Sequence, residues 1–248
     1  MHRKAYSEAI NKFTSCLNHS PSNALAYFQR GTCYLLSDKA NVALVDFNQS
    51  IKLDSSNYDA YFNRGLAHHA LKNYTFAEAD FLLYHSRVPN DYKVLNNLAI
   101  LMEDMQDYKA AVDYYTLFLD RFPENKDKHI ARAFAYAQID SIKLAIKDLD
   151  FCLKLDPKDE EVWMNKGNIY YDAFQYSNAI DAYNVILLNT PDNTEARINR
   201  ADAFTANTQY KEAIEDFELL STKDKYNPEY YFNLGFCYLQ LSKTKNPF

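Results

Sequence analysis

The chain has 248 residues and a formal net charge of −6, from 27 lysines and arginines against 33 aspartates and glutamates. Because no basic cluster accompanies this charge, the sequence argues against nucleic acid as the main ligand. Apolar residues do not run long enough to span a bilayer, and residues 1–8 lack the apolar core of a signal peptide, so we expect a soluble, cytoplasmic protein without membrane insertion.

The glycines and many alanines follow a period of 34 residues. All four glycines share one phase of this period, and a column of alanines lies twelve positions further on. Because every glycine is used in this way, none remains for a phosphate-binding loop or a dinucleotide fingerprint. The glycines are Gly31, Gly65, Gly167 and Gly235, and the alanines are Ala9, Ala43, Ala77, Ala111, Ala145, Ala179 and Ala213.

The period predicts helix hairpins in chain order. Within a unit, apolar residues recur three and four positions apart, and two columns of small residues suit antiparallel helices whose backbones approach closely. Proline closes five of the units, where it ends a helix and starts a turn. We therefore predict a single domain over residues 1–248. It comprises the second helix of a partial unit (1–23), six full units (24–57, 58–91, 92–125, 126–159, 160–193 and 194–227), a terminal capping helix (228–241) and a polar tail (242–248).

The unit at 160–193 carries the residues of a known family. It has an aromatic residue at the fourth position, glycine at the eighth, and large and small residues at fixed places after them. The pattern resembles the tetratricopeptide repeat. This resemblance implies an all-α fold, a right-handed superhelical α-solenoid of 34-residue helix-turn-helix repeats whose concave wall is lined by the first helices. The residues are Trp163, Lys166, Gly167, Tyr170, Ala179, Tyr183 and Pro191.

Two positions depart from the pattern of this family. His129 and Arg197 occupy the fourth position, where an aromatic residue is usual, and four arginines stand at the seventh position, where leucine is usual. We expect each of these arginines to lay its aliphatic stem on a helix interface and to leave its charged head in water. They are Arg30, Arg64, Arg132 and Arg200.

The sequence has no pattern typical of an active site. The adjacent His68 and His69 point to different helix faces, and no histidine has a cysteine or histidine three or four residues later. Serine nucleophile motifs need flanking glycines, which this chain does not offer. We therefore expect no catalytic residues, no metal and no cofactor, in a protein that is not an enzyme.

The sixth position of the first helices carries a row of carboxamides. A carboxamide has one group that donates and one that accepts, so each can bind a peptide unit of an extended chain. The row resembles the asparagine ladder on the concave surface of O-GlcNAc transferase, which has the same kind of repeat. Its members are Gln29, Asn63, Asn97, Asn165, Asn199 and Asn233, with Ala131 as the gap.

Apolar residues at the fifth and ninth positions accompany this row and are predicted to hold the hydrophobic anchors of a peptide. We assign Phe28, Phe62, Phe134 and Phe232 to them. Lys93 joins the predicted site because, in members that bind chaperone tails, a lysine at its place takes part in a two-carboxylate clamp. A complete clamp is excluded, since Asn97 stands where that clamp has an arginine. Acidic residues at the second position favour a neutral or basic ligand.

These patterns predict a non-enzymatic interaction scaffold, an adaptor that binds an extended peptide segment of a partner in a concave groove. Two alternatives stay open. The chain is then either the substrate-recognition arm of a larger enzyme, for example a glycosyltransferase, whose catalytic domain lies outside it, or an assembly subunit of a multiprotein complex. Uncovered helix faces at the two ends would allow self-association end to end.

Overall fold

A computed structural model describes residues 2–245. Within this range the chain forms fourteen helices and no strand, so the predicted all-α fold is confirmed. The helices are α1 (His2–His19), α2 (Ala24–Leu35), α3 (Ala40–Leu53), α4 (Tyr58–Ala70), α5 (Tyr74–Arg87), α6 (Lys93–Asp104), α7 (Tyr108–Arg121), α8 (Lys126–Gln138), α9 (Ile142–Leu155), α10 (Glu160–Asp172), α11 (Tyr176–Asn189), α12 (Thr194–Ala206), α13 (Tyr210–Lys223) and α14 (Pro228–Lys245).

The described helices belong to two compact parts of the chain, each larger than one repeat. Unit 1 holds α1–α7 up to residue 122, and unit 2 holds α8–α14 from residue 123 onward. Inside each unit a helix packs on its neighbours in sequence, and the closest pairs are hairpins such as α2 with α3 and α10 with α11. The first helices of the hairpins start within one residue of the repeat starts expected from the period. α14 extends to Lys245, four residues past the expected end of that helix, and residues 246–248 of the expected tail lie outside the described part.

The two helices of a hairpin approach closely because a small residue on one faces an aromatic ring on the other. A Cβ atom added at Gly31 would lie 2.9 Å from Cε1 of Phe47, and one added at Gly65 would lie 2.7 Å from Cε1 of Phe81. Larger side chains would hold the helix axes apart. The alanines twelve positions after the glycine phase lie at the same close approach, and all of them after Ala9 have no exposed surface. They are Ala43, Ala77, Ala111, Ala145, Ala179 and Ala213.

Each hairpin turn holds a residue other than glycine in the left-handed region. In the first full hairpin this residue is Asp38, with φ of 60°. The N–H of Lys39 donates back to the carbonyl of Tyr34 at 3.0 Å, which satisfies a carbonyl at the end of α2. The same backbone conformation recurs every 34 residues, with φ between 58° and 61°, at Asp38, Lys72, Gln106, Asp140, Phe174 and Thr208.

The arginines at the seventh position do not leave their heads in water, which corrects the expectation from the sequence. Arg64 Nε and Nη2 donate to Oδ2 and Oδ1 of Asp80, at 2.8 and 2.7 Å, and Asp80 is buried. Arg64 Nη1 also donates to Asn48 Oδ1 on the preceding hairpin, at 2.8 Å. The reason is an aspartate sixteen residues after each arginine, on the second helix. Equivalent pairs are Arg30–Asp46, Arg132–Asp148 and Arg200–Asp216.

His129 and Arg197, which stand at the fourth position in place of an aromatic residue, make the same backbone contact as Trp163 does at that position. Trp163 Nε1 donates to the carbonyl of Pro157, six residues earlier, at 2.9 Å. His129 places Nε2 at 2.8 Å from the carbonyl of Pro123, and Nδ1 at 3.0 Å from Oδ1 of Asp148. Arg197 likewise donates to a proline carbonyl six residues earlier. Tyr231, at the fourth position of the last repeat, donates in the same way from its hydroxyl to the carbonyl of Lys225 at 3.2 Å. In unit 2 this position therefore combines bulk with a side-chain donor.

Candidate functional site

The first helices are positioned by a cap at the end of the preceding repeat. Asn23, Asn57, Asn125 and Asn193 each accept a hydrogen bond from the N–H three residues later, as Asn23 Oδ1 does from Ala26 at 2.9 Å. Side-chain oxygens at this position satisfy N–H groups that have no partner within the helix. The cap fixes where these four first helices begin and therefore which residues stand at their sixth positions.

First helices of consecutive hairpins lie side by side within each unit, as α2 does with α4 and α10 with α12. We call the surface formed by their fifth, sixth and ninth positions the first-helix face, one in each unit. It carries the predicted carboxamides, all of them half-buried and none enclosed in the interior. Unit 1 carries Gln29, Asn63 and Asn97, and unit 2 carries Asn165, Asn199 and Asn233.

Some of these carboxamides bind neighbouring side chains on the same face. Asn63 Nδ2 donates to Oγ1 of Thr32 on the preceding first helix, at 3.1 Å. Asn199 Nδ2 donates to Oδ1 of Asn168 in the same geometry, at 3.2 Å. Asn97 Nδ2 donates within its own helix, to the Lys93 carbonyl at 2.9 Å. In these three residues the amide nitrogen is used and the amide oxygen remains to accept from a ligand N–H.

The predicted apolar anchors divide into two kinds. Phe62 packs within its own hairpin, with its ring centroid 5.6 Å from that of Phe81, and Phe28 packs on Phe47 in the same way at 6.3 Å. Phe134 and Phe232 are 49% and 75% exposed. The last two therefore offer more apolar surface to a ligand than the first two. The remaining predicted residue, Lys93, is exposed at the start of α6.

A pocket that the sequence did not indicate lies on the first-helix face of unit 2. It has a volume of about 320 Å³ and lies between α10 and α12, with one residue of α11 in its wall. Tyr183 Oη and Asn199 Nδ2 both donate to Oδ1 of Asn168, at 2.8 and 3.2 Å, which fixes that amide. The lining residues are Asn168, Tyr171, Asp172, Tyr183, Asn199 and Asp202.

The electrostatics of this pocket are negative. Burial, and after it the charge of Glu229, raises the pKa of Asp202 above the usual aspartate value. Burial also raises the pKa of Tyr171, with further contributions from Asp202 and Asp172. Among residues 2–245, neither Asp172 nor Asp202 forms an ion pair. The signal that the sequence offered was an aspartate at the ninth position of α12, where four of the six other repeats have an apolar residue.

The described residues hold no group of three or more histidine, cysteine, aspartate or glutamate side chains arranged to bind a metal ion. In the same part of the chain, no helix has both the length and the apolar character needed to cross a bilayer.

Comparisons with known proteins agree with this helical repeat fold. A family model described as Tetratricopeptide repeat matches residues 37–92 and 166–228, and a second model of the same description matches residues 96–125. No curated protein matches the chain.

Solved structures share the fold at low sequence identity. The C-terminal part of a TPR repeat-containing protein from Cytophaga hutchinsonii has a TM-score of 0.80 and 14% identity, over 93% of this chain and 95% of that one. YrrB, described as a TPR protein with an unusual peptide-binding site, has a TM-score of 0.62 and 17% identity, over 74% and 95%. A structure of Naa15/Naa10 bound to HypK-THB has a TM-score of 0.63 and 17% identity. That match covers 98% of this chain but 40% of the other.

Proposed function

Since this chain belongs to the tetratricopeptide repeat family, we propose that it is a cytoplasmic, non-enzymatic adaptor whose first-helix face binds an extended segment of a partner protein. The observation that carries the proposal is the half-buried carboxamide at the same place of consecutive first helices, with its oxygen left to accept a hydrogen bond. An extended peptide presents backbone N–H groups whatever its side chains, so such a row suits a segment of varied sequence.

Hydrogen bonds alone do not give useful affinity. Each contributes about 1 kcal/mol net, and ordering a flexible segment costs about 2–5 kcal/mol. Burial of apolar side chains at about 1.5–3 kcal/mol each supplies the difference. Phe134 and Phe232, which are exposed on the first helices α8 and α14, support this part of the proposal.

The charge of the face favours a neutral or basic segment. The second position of five first helices is acidic and exposed, so a basic ligand meets opposite charge as it approaches. These acids also lie in the first helical turn, where they complement the helix dipole. The five residues are Asp59, Asp127, Glu161, Glu195 and Glu229.

The test begins with a peptide selected from a random library on the whole chain. Its affinity is then measured by calorimetry for the protein and for the triple variant Asn63→Ala, Asn97→Ala and Asn165→Ala. Loss of three hydrogen bonds should weaken binding at least about tenfold. A matched triple variant of exposed second-helix asparagines, Asn11→Ala, Asn41→Ala and Asn189→Ala, should bind as the parent does. Unchanged affinity in a folded first-helix variant would exclude this face as the peptide site.

A second function, that of an assembly subunit, is favoured by one observation. α14 exposes several large apolar side chains, among them Phe232 and Leu239, with 75% and 53% of their surface in contact with solvent. Apolar surface of this kind is typical of a protein contact. We therefore keep association through α14 as the alternative.

A further inference from the structure

The pocket between α10 and α12 differs in chemistry from the equivalent places of the other repeats. Asp202 holds the ninth position of α12, and Asp172 holds the thirteenth position of α10. No other ninth position in the chain is acidic. The other ninth positions are Thr32, Leu66, Ile100, Phe134, Asn168 and Phe236.

The two carboxylates of the pocket have no counter-ion among the residues that the structure describes. Within residues 2–245 no lysine, arginine or histidine pairs with the half-buried Asp202, although burial of a carboxylate is costly unless a cation or hydrogen bonds compensate for it. None pairs with the exposed Asp172 either. Asp104, the equivalent of Asp172 in unit 1, does have such a partner: its Oδ2 lies 2.6 Å from Nε2 of His69. Glu229 adds further negative charge beside Asp202. Asp172 therefore lacks the imidazole partner that Asp104 has in unit 1.

The remaining walls fit a flat cation with several donors. Asn199 uses its Nδ2 within the pocket, so its Oδ1 remains as an acceptor. The half-buried ring of Tyr171 is held by an edge contact with Tyr176, with ring centroids 5.4 Å apart, and offers an aromatic surface. A guanidinium carries five N–H donors in a plane and stacks on aromatic rings, whereas an ammonium is a compact charge that is more strongly hydrated. A volume of about 320 Å³ lies at the lower end of the range for ligand pockets and is large enough for one side chain.

We propose that this pocket binds the guanidinium of an arginine side chain presented by the partner segment. The inference rests on the proposed function, since the pocket lies on the first-helix face and includes Asn199. Asp172 and Asp202 supply the opposite charge and Asn199 Oδ1 a further acceptor. Tyr171 stacks on the plane of the guanidinium. Because the arginine has to enter the pocket between α10 and α12, it determines which residue of the partner segment lies opposite each first helix.

The test uses blocked tripeptides on the full chain. The peptides Ac-Ala-Arg-Ala-NH2, Ac-Ala-Lys-Ala-NH2 and Ac-Ala-Gln-Ala-NH2 are titrated into labelled protein, and amide signals of α10 and α12 are followed by NMR. The arginine peptide should shift these signals saturably at millimolar concentration and more tightly than the lysine peptide, and the glutamine peptide should leave them in place. Asp202→Asn should weaken the arginine peptide about tenfold. Glu215→Gln, the same change of charge on an exposed residue of α13, should bind as the parent does.

Several results would overturn the inference. Equal shifts with the glutamine peptide, equal affinity of the lysine peptide, or unchanged affinity in a folded Asp202→Asn variant would each do so. Saturation of the same signals by calcium chloride in place of the arginine peptide would assign the pocket to a metal cation instead. The outcome is separate from that of the asparagine variants. A library peptide that depends on Asn63, Asn97 and Asn165 while the arginine tripeptide fails to bind removes this inference alone.

Discussion

The guanidinium of Arg64 holds the buried carboxylate of Asp80 at two points, and this contact predicts an asymmetric mutational response. Arg64→Leu restores the residue usual in the family but leaves Asp80 charged, buried and unpaired. We expect it to lower the free energy of unfolding by about 2–3 kcal/mol, below the range for fully buried pairs because Arg64 is partly exposed. The double variant Arg64→Leu with Asp80→Ala should recover part of this loss. Chemical denaturation measures both, and a double variant no more stable than the single one would contradict the explanation.

Asp202 predicts a change of stability with pH. Because its folded pKa is raised, the folded protein holds this proton more tightly than the unfolded chain does, so ionised Asp202 costs stability above its folded pKa. The cost is absent below the unfolded pKa. Asp202→Asn should therefore raise Tm by about 2 °C near pH 7 and leave it unchanged near pH 3.

Thermal melts at the two pH values check this, with Glu215→Gln as the control for a change of net charge. A Tm that falls in Asp202→Asn near pH 7 would show that the carboxylate stabilises the fold. In that case Asp202 would resemble the paired aspartates of the hairpins, such as Asp80, more than a group kept for a ligand.

At the scale of the helix and its turn, Thr208 is the residue least suited to its backbone. It has φ of 61° between α12 and α13, where a β-branched residue is strained. Thr208→Gly should stabilise the protein by about 0.5–1 kcal/mol, since glycine reaches this conformation freely but loses more entropy on folding. Thr208→Ala, which keeps the Cβ atom, should gain less. Denaturation of the two variants side by side measures the difference, and equal stability would mean that the turn is unstrained.

The helices were predictable because their signals are local. The alanine and glycine columns, the prolines and the helical spacing each act within one 34-residue unit, and the observed helices follow them. The turn conformation was not predictable, because residues such as Lys72 and Phe174 carry no preference for positive φ. The arginine heads were misjudged because their partners lie sixteen residues away on the other helix of the hairpin.

In the candidate site, too, the features with a local sequence signal could be predicted and those that depend on distant residues could not. The row of carboxamides could be predicted because its members recur at one position of the repeat, and in the structure they are half-buried. Their role in binding stays a prediction. The pocket escaped notice because Asp172 and Asp202 meet only when α10 and α12 lie side by side. A pocket of this kind is indicated by a single residue that departs from the repeat pattern, such as Asp202 at the ninth position. A search for recurring residues alone does not detect it.

At the scale of the whole molecule, the apolar surface of α14 predicts association. If the chain is an assembly subunit that contacts a second copy through this helix, its mass in sedimentation experiments should rise with concentration. The double variant Phe232→Ser with Leu239→Ser should stay monomeric under the same conditions. Leu188→Ser, which changes an 82% exposed residue of α11, should behave as the parent does. A parent chain that is monomeric throughout would contradict association through α14.

The contacts of Arg64 with two consecutive hairpins have a consequence for how such a chain can gain repeats. Its guanidinium binds Asp80 in its own repeat and Asn48 in the one before, and Arg200 binds Asp216 and Asn184 in the same way. A duplicated stretch of 34 residues would bring both halves of this contact with it, so each new joint would be as well matched as the old ones. Gene duplication can therefore lengthen the array without inventing a single new interface.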